Sequence, residues 1–358
     1  MAPKVKRVTI RDVAKHAGTS PATVSRVLSE EGYPVGDELS ARVRKAVEEL
    51  EYEYTPQNRS ASDGKGGALK KHNKTIGFVL PNISNPFYSQ AITGVENVAR
   101  QRGYQVMICN TLRDKARERR YLQMLLDMGI RHIILSSIDL KADNIREFSD
   151  KGMEFVLLEQ QVDDDVNCYH INFDMYSGAV MAVDHLVKCG HRKIALATTP
   201  LIRWTRMQVY KGYVAALKAA GLQYDDRQVF ISSSEHEVEE EGYDILAGRQ
   251  LGQMIAERRD EFTAVLCVND ITSAGLIQGL NNAGVRIPED LSLVSMDDIP
   301  FASVFRPELT TIRYPTYEGG KLAAMLLFDR MEGNSKYSLN LNIEPLLITR
   351  KSVKDLGV

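Results

Sequence analysis

The chain has 358 residues, of which 44% are hydrophobic, so it is long enough for two or three domains that each bury a core. No segment approaches the roughly 18 to 20 uncharged apolar residues of a membrane span, and the amino terminus lacks the apolar run of a signal peptide. These two features predict a cytoplasmic protein with no membrane partner. Residues 1–74, which we call the head, carry 14 Lys and Arg against 10 Asp and Glu, whereas the other 284 residues have a net charge of −6. This asymmetry favours a head that contacts a polyanion.

Residues 9–28 predict two short helices separated by a tight turn. Thr9 is placed to cap the first helix, and Asp12 three positions on resembles the acidic partner of a capping box. Gly18 ends that helix, and Ser20 caps the next one. Two helices of about eight residues around such a turn form a helix-turn-helix, whose second helix fits the major groove of DNA.

The run from Val8 to Leu28, continued from Val35 to Leu50, closely resembles the head of the lactose repressor (LacI/GalR) family of bacterial regulators. The resemblance implies a sequence-specific DNA-binding regulator, and we expect it to be a repressor. Arg26 is the natural bidentate reader of a guanine, while Thr23 and Ser25 could equally contact phosphate. The predicted DNA-facing residues of the head are Thr9, Ser20, Pro21, Ala22, Thr23, Ser25 and Arg26.

The segment after the predicted third helix departs from the family pattern. Tyr54–Gln57 best matches the Tyr-x-Pro-Asn of family members, with two extra residues before it, and the Leu that those members wedge into the minor groove is absent. Ser60–Asn73 is rich in Gly, Ser and Lys, which predicts a flexible linker. Asn58 and Arg59 could still reach the minor groove.

From Thr75 onward, apolar strand patterns alternate with helical patterns, which predicts parallel sheets covered on both faces. The fold class is therefore α/β: an all-α helix-turn-helix head followed by a two-lobed body of doubly wound parallel sheets. The family resemblance implies that this body is similar to periplasmic sugar-binding proteins and forms a homodimer. Strands are predicted at 75–80, 105–110, 131–136, 154–158, 193–197, 229–232, 264–268 and 292–295.

The predicted organisation has three parts. Residues 1–56 form the DNA-binding domain, 57–74 a hinge or linker, and 75–358 the domain that binds the effector and dimerises. Because Pro307–Ile312 matches the family's return to the first lobe, we expect that lobe at about 75–172 plus 311–331. The second lobe is then expected at about 173–310 plus 332–358.

Ligands of doubly wound sheets bind beyond the carboxyl ends of the strands, and polar residues at those ends can converge on one molecule. Asp297 is the foremost candidate, because a carboxylate can accept from two hydroxyls. Its neighbour Asp298 and the residue Asp270 are expected to act as helix caps or lobe contacts. The predicted effector-binding residues are Asn85, Phe87, Glu159, Arg206, Asn269, Asp297 and Phe301, with the two Phe as ring-stacking candidates.

A second departure concerns an Arg that family members place three residues before a Gly-aromatic pair. Here Gly212 is preceded at that spacing by Val209, so Arg206 or Arg203 could take the role, or the ligand could lack the matching oxygen. Trp204 could stack on a ligand ring or could be a surface aromatic.

Three other classes of protein compete with this interpretation. The sequence has no nucleophile-elbow, phosphate-loop or His-Glu-x-x-His motif, and its four cysteines occur singly, so we expect no enzyme, metal site or cofactor. A pure solute-binding protein would lack the helix-turn-helix. A regulator controlled by a protein or phosphoprotein stays open, as does the choice between an inducing and a co-repressing small molecule.

Overall fold

The computed structural model describes residues 8–29, 35–50, 52, 74–162, 166, 168–233, 242–333 and 339–357. They belong to two compact units, one within Met1–His72 and the other within Asn73–Val358. In these ranges no helix combines the length and the apolarity that crossing a membrane requires.

The first unit contains three helices, α1 (Ile10–His16), α2 (Pro21–Ser29) and α3 (Asp37–Glu49). Apolar residues recur at helical spacing on each, so each helix turns one stripe inward. Val13, Val24 and Val43, one from each helix, are fully buried in the shared core. This core uses the inner face of α2 and leaves its outer face to solvent.

The first lobe of the second unit is a six-stranded parallel sheet in the order β11-β5-β4-β3-β1-β2. Alternate side chains of its strands pack on α4 and α11 on one face and on α5 and α6 on the other. Its elements are β1 (Thr75–Leu80), α4 (Pro86–Gln101), β2 (Gln105–Asn110), α5 (Lys115–Asp127), β3 (His132–Leu135), α6 (Asp143–Asp150), β4 (Glu154–Leu158), β5 (Tyr169–Phe173), α11 (Thr316–Met331) and β11 (Asn340–Ile343).

The second lobe repeats this plan, with the order β12-β10-β9-β8-β6-β7 and only β12 antiparallel to its neighbour. Helices α7 and α8 cover one face, and α9 and α10 the other. Its elements are α7 (Met175–Lys188), β6 (Ile194–Thr198), α8 (Trp204–Ala219), β7 (Val229–Ile231), α9 (Tyr243–Ala256), β8 (Ala264–Cys267), α10 (Asp270–Asn282), β9 (Ser292–Asp297), β10 (Thr310–Arg313) and β12 (Leu346–Ile348).

The chain crosses between the lobes at other points than the sequence predicts. Residues 311–313 were expected in the first lobe, but β10 pairs with β9 in the second sheet, so the return begins after Arg313. Residues 340–343, expected in the second lobe, form an edge strand that pairs with β5 of the first sheet. Strand pairing rather than chain order decides both placements. After the crossings that follow β5 and β10, the third crossing of the chain between the lobes lies between β11 and β12.

Candidate DNA-binding surface and effector cleft

The first two helices of the head begin at the predicted caps. The Asp12 carboxylate accepts hydrogen bonds from the Thr9 backbone N–H at 2.9 Å and from the Thr9 hydroxyl at 2.6 Å. Ser20 Oγ accepts from the Thr23 backbone N–H at 3.1 Å. These bonds satisfy donors that the first turn of a helix leaves without an intrahelical partner.

The turn between α1 and α2 is held from α3. Gly18 has a φ of +62°, a left-handed conformation that costs glycine little. The Arg42 guanidinium of α3 donates to the Ala17 carbonyl at 2.6 Å. The third helix therefore fixes the angle at which α2 leaves the turn.

The outer face of α2 carries the residues predicted to contact DNA. Ala22 and Arg26 are exposed there, and Thr23 and Ser25 are partly exposed. An α-helix is about 10–12 Å across and the major groove about 12 Å wide, so this face can enter the groove. Asn58 and Arg59, predicted to reach the minor groove, lie outside the described residues.

The carboxyl ends of both sheets meet at a pocket between the two lobes, which we call the inner pocket. It leaves about 20 Å³ for solvent, room for roughly one water molecule, so the lobes are closed on it. A ligand of several atoms can enter only when the lobes separate. The lining residues are Pro81, Asn82, Asn85, Phe87, Tyr88, Arg113, Glu159, Met175, Arg203, Thr205, Arg206 and Asp297.

Two carboxylates face this pocket from strained backbone positions. Glu159 follows β4 with a φ of +61°, and Asp297 ends β9 with a φ of +105°. Such conformations in non-glycine residues cost about 1–3 kcal/mol each and concentrate at functional sites. Burial raises the pKa of Glu159 to about 7, against the opposing effects of Tyr88, Arg206 and Arg203. Burial, reinforced by the nearby Asp270 carboxylate, raises the pKa of Asp297 well above its ordinary value.

Arg206 supplies the opposite charge from the first turns of α8. Its Nε donates to Thr199 Oγ1 at 3.1 Å. Burial lowers the pKa of Arg206, as does its neighbour Arg203, while Asp244 and Asp297 oppose this effect. Among the described residues, the carboxylate of Asp297 makes neither a hydrogen bond nor a salt bridge, and it lines the inner pocket.

One ion pair joins the two lobes directly beside the pocket. Arg113, which follows β2 in the first lobe, donates through Nη2 to Asp244 Oδ2 at 2.6 Å in the first turn of α9 in the second lobe. The exposed fractions of the two side chains are 7% and 3%. The Arg113 guanidinium also lies 5.3 Å from the ring centroid of Tyr243. Although burial alone would raise it, Arg113 keeps the pKa of Asp244 below its ordinary value.

Comparison with known proteins agrees with both parts of this geometry. Residues 9–56 match the family described as bacterial regulatory proteins, lacI family, and residues 183–353 match a periplasmic binding protein-like domain. The chain is 31% identical to the HTH-type transcriptional repressor PurR of Mannheimia succiniciproducens over 98% of its own length and 99% of the relative. This chain belongs to the lacI family of bacterial regulators. It is thus a DNA-binding transcriptional regulator with an effector-binding body.

Two solved structures of the family resemble the whole chain or its body. The transcriptional regulator CelR in complex with cellobiose has a TM-score of 0.69 and 25% identity, and the match covers 97% of this chain and 100% of CelR. A LacI family regulator from Enterococcus faecium with bound ribose has a TM-score of 0.68 and 28% identity, and the match covers 79% of this chain and 100% of that regulator.

In this lacI-family chain, five of the seven predicted effector residues line the inner pocket: Asn85, Phe87, Glu159, Arg206 and Asp297. Two of these also have structural roles. Asn85 Oδ1 accepts from the Phe87 backbone N–H at 3.0 Å and caps α4. Phe87 packs edge-on against Tyr88 and Phe173, with centroids 5.2 and 5.5 Å away.

The other two predicted residues do not line the pocket. Asn269 Oδ1 accepts from the Thr272 backbone N–H at 2.7 Å, so its side chain caps α10. Phe301 lies in a short 3₁₀ helix and is 54% exposed. Asp298 contacts Arg350 at 2.7 Å and Arg313 at 2.6 Å, a structural role of the kind expected for it.

Seven other lining residues are not among the predicted effector residues: Pro81, Asn82, Tyr88, Arg113, Met175, Arg203 and Thr205. Arg203 was considered as an alternative to Arg206, and both side chains are buried here. Arg113 stands three residues past the end of β2, so the strand-end argument could have selected it. Of the described residues, no group of three or more His, Cys, Asp and Glu is arranged to hold a metal ion.

Proposed function

We propose that this regulator represses transcription as a homodimer on a partly palindromic operator, and that a small neutral sugar or sugar derivative in the inner pocket controls its affinity for DNA. Two identical heads related by a two-fold axis read inverted half-sites. The effector domain acts by binding, not by catalysis, and needs no cofactor.

The sugar proposal is supported mainly by one observation: the side chains of Asp297 and Arg206 line the same closed pocket, which has little room for water. A carboxylate without a protein partner accepts from two hydroxyls, and a buried guanidinium donates to ring or hydroxyl oxygens. Glu159 and Asn85 add acceptors on the facing lobe. The ribose bound to the Enterococcus faecium relative and the cellobiose bound to CelR are ligands of this chemistry.

The position of the ligand between the two lobes explains how it would control the affinity for DNA. A ligand held by Glu159 on one lobe and Asp297 on the other contacts both lobes at once. Because the closed pocket has room for about one water molecule, such a ligand shifts the population towards an arrangement in which the lobes are further apart yet both still contact it. A change in the angle between lobes alters the spacing of the two heads of a dimer. DNA and effector affinities are then coupled reciprocally.

Asp297→Ala should separate sensing from DNA binding. Loss of the carboxylate leaves ligand hydroxyls unpaired at a cost of roughly 1–3 kcal/mol, which corresponds to about 5- to 150-fold in affinity. In gel shifts with its own upstream region, the variant should bind DNA as the wild type does but respond little to sugar. Asp260→Ala, which removes a fully exposed carboxylate of the same lobe, should behave as the wild type.

A thermal-shift screen of sugars, sugar phosphates and nucleosides identifies the ligand. A ligand at about 100 times its dissociation constant adds roughly 2.7 kcal/mol to the free energy of unfolding. Equal stabilisation of the wild type and Asp297→Ala by a hit would place the effector elsewhere. A response to a partner protein, with none to any small molecule, would replace the sugar by a protein effector.

A further inference from the structure

A second cavity, which we call the crossover groove, lies beside the first connection between the lobes. It offers about 340 Å³, against about 20 Å³ in the inner pocket. Met175, the first residue of α7, lines both cavities, so one side chain separates them at that point. Trp204 lines the groove and also a small cavity that shares Tyr88, Glu159 and Arg203 with the inner pocket. The groove and the pocket are therefore neighbouring compartments of one interlobe cleft.

One wall of the groove is an amide surface on two adjacent strands. Asn172 of β5 is paired in register with Asn342 of β11, and its Nδ2 donates to Asn340 Oδ1 at 3.4 Å. Asparagine is depleted in strands, so three on one face of a strand pair need a reason. Asn172 is 3% exposed, and its Oδ1 is buried without a hydrogen-bond partner among the described residues. An unpaired buried amide oxygen costs free energy that a ligand hydroxyl would recover.

The opposite wall supplies aromatic faces and a further amide. Trp204 and Gln208 are four residues apart on α8, so they lie on the same side of that helix. Tyr176 of α7 also lines the groove and is 40% exposed. Aromatic rings offer an apolar face to the C–H side of a sugar ring, while amides offer donors and acceptors to its hydroxyls.

The lining of the crossover groove favours an uncharged ligand. Of the described residues that line it, only Asp174 is ionisable at neutral pH. Its carboxylate already accepts from the Ser177 backbone N–H at 2.9 Å and from the Ser177 hydroxyl at 2.7 Å, because it caps α7. Within the described part of the lining, no Lys or Arg is present to balance a phosphate. The lining therefore fits a neutral ring rather than a sugar phosphate.

We propose that the crossover groove binds a second neutral, hydroxylated ring of the effector whose first ring occupies the inner pocket. The effector is then an oligosaccharide or glycoside rather than a monosaccharide. This inference rests on the proposed function, since it assigns a second subsite to the same ligand. In this structure the groove has room for a ring and the inner pocket does not, so the first ring enters only when the lobes separate, whereas the groove can receive the second ring without that change.

The test exploits Trp204, the only Trp of the chain. Its fluorescence is followed during titration with glucose and galactose, each compared with disaccharides that contain it: cellobiose, maltose, lactose and melibiose. At least one disaccharide should bind the wild type about 10-fold or more tightly than its monosaccharide and change the Trp204 emission. Asn342→Ala and Gln208→Ala should each weaken that disaccharide about 3- to 10-fold and leave the monosaccharide within about 2-fold.

Two controls separate failure of the subsite from failure of the proposed function. Asn282→Ala removes an exposed amide at the end of α10 and should change neither affinity. Asp297→Ala should weaken monosaccharide and disaccharide together. If Asn342→Ala and Gln208→Ala leave every sugar unaffected while Asp297→Ala does not, the subsite is wrong and the inner pocket stands. If no sugar of the panel binds the wild type, both proposals fall.

Discussion

At the scale of single residues, the cleft shows how a direct partner decides the charge of a buried group. Asp244 contacts Arg113 at 2.6 Å, and its pKa lies below the ordinary value despite burial. In the described ranges no guanidinium lies at that distance from Glu159 or Asp297, and burial raises the pKa of both. The first pair is an ion pair between the lobes of this closed arrangement. Raised pKa values of buried carboxyls concentrate at functional sites, which supports the proposal that Glu159 and Asp297 bind the effector.

Glu159 should make the free energy of unfolding depend on pH between about 4.5 and 7. Its pKa is about 7 in the folded chain and 4.5 in the unfolded chain, so the folded state binds the proton more tightly. The contribution of Glu159 to stability is therefore greatest below pH 4.5 and decreases as pH rises to 7. Tyr88, Ser136, Arg203 and Arg206 face this carboxyl and act against the shift.

The measurement is denaturant unfolding of the wild type and Glu159→Gln at several pH values. Each pKa unit corresponds to 1.36 kcal/mol, so the difference in stability between them should change by about 3 kcal/mol across this range. Glu147→Gln is the matched control, since Arg119 and Lys151 lower the pKa of that partly exposed carboxyl to about 2. A difference independent of pH would mean that Glu159 stays ionised in the folded chain.

The rule that polar residues follow strand ends selected Asn85, Glu159 and Asp297, which line the inner pocket because the carboxyl ends of parallel strands share an edge. Their contact with an effector stays a prediction. The same rule selected Asn269, which does not line the inner pocket in the closed arrangement, because a helix cap uses the same residue type at the same position; its contact with an effector also stays a prediction. The Arg113–Asp244 pair could not be predicted at all. The two residues are 131 positions apart, and only the closed arrangement of the lobes brings them together.

At the scale of elements, α2 combines a buried apolar stripe with an outer face that the head does not use. Val24 and Val27 fix the helix in the core. The geometry of α2 therefore does not depend on Arg26, which is exposed. Substitutions on this outer face should change DNA recognition without unfolding the head.

Arg26→Ala should cost on the order of 1–3 kcal/mol at one base position of the operator and relax discrimination there, because a bidentate contact to guanine is lost. Competition gel shifts with operators changed at single positions measure this loss. Arg44→Ala, an exposed Arg on α3, is the control and should preserve the base preference. A uniform loss on every operator would instead make Arg26 a phosphate contact.

The hydrophobic periodicity of the sequence predicts most of the helices and strands, but it does not predict which strands pair with one another. Strands at 75–80 and 154–158 agree with prediction because buried parallel strands are continuous apolar runs. Residues 340–343 alternate Asn-Leu-Asn-Ile, a pattern that identifies a half-exposed strand but not its sheet. Register with β5 decides that, and pairing across about 170 residues leaves no local signal.

At the scale of the whole effector domain, the buried ion pair Arg113–Asp244 joins the two lobes beside the inner pocket. Arg113 and Asp244 lie on opposite lobes, and Arg113 also lines the inner pocket. A buried pair repays its desolvation only while both partners are present. Removing one charge should therefore shift the balance from closed towards open lobes, with consequences for effector affinity.

Asp244→Asn should open the lobes, because Arg113 is then a buried cation without its counter-ion, at a cost of about 3–5 kcal/mol. The full-length variant should show faster hydrogen exchange in the segments that follow β2 and β6, and weaker effector binding. The double variant Arg113→Gln/Asp244→Asn carries neither charge and should recover part of the protection, since no buried ion remains unpaired. Arg286→Gln tests an exposed pair on the second lobe, Arg286 with Asp290, and should leave exchange unchanged. If Asp244→Asn exchanges like the wild type, packing alone closes the lobes and the ion pair has no part in it.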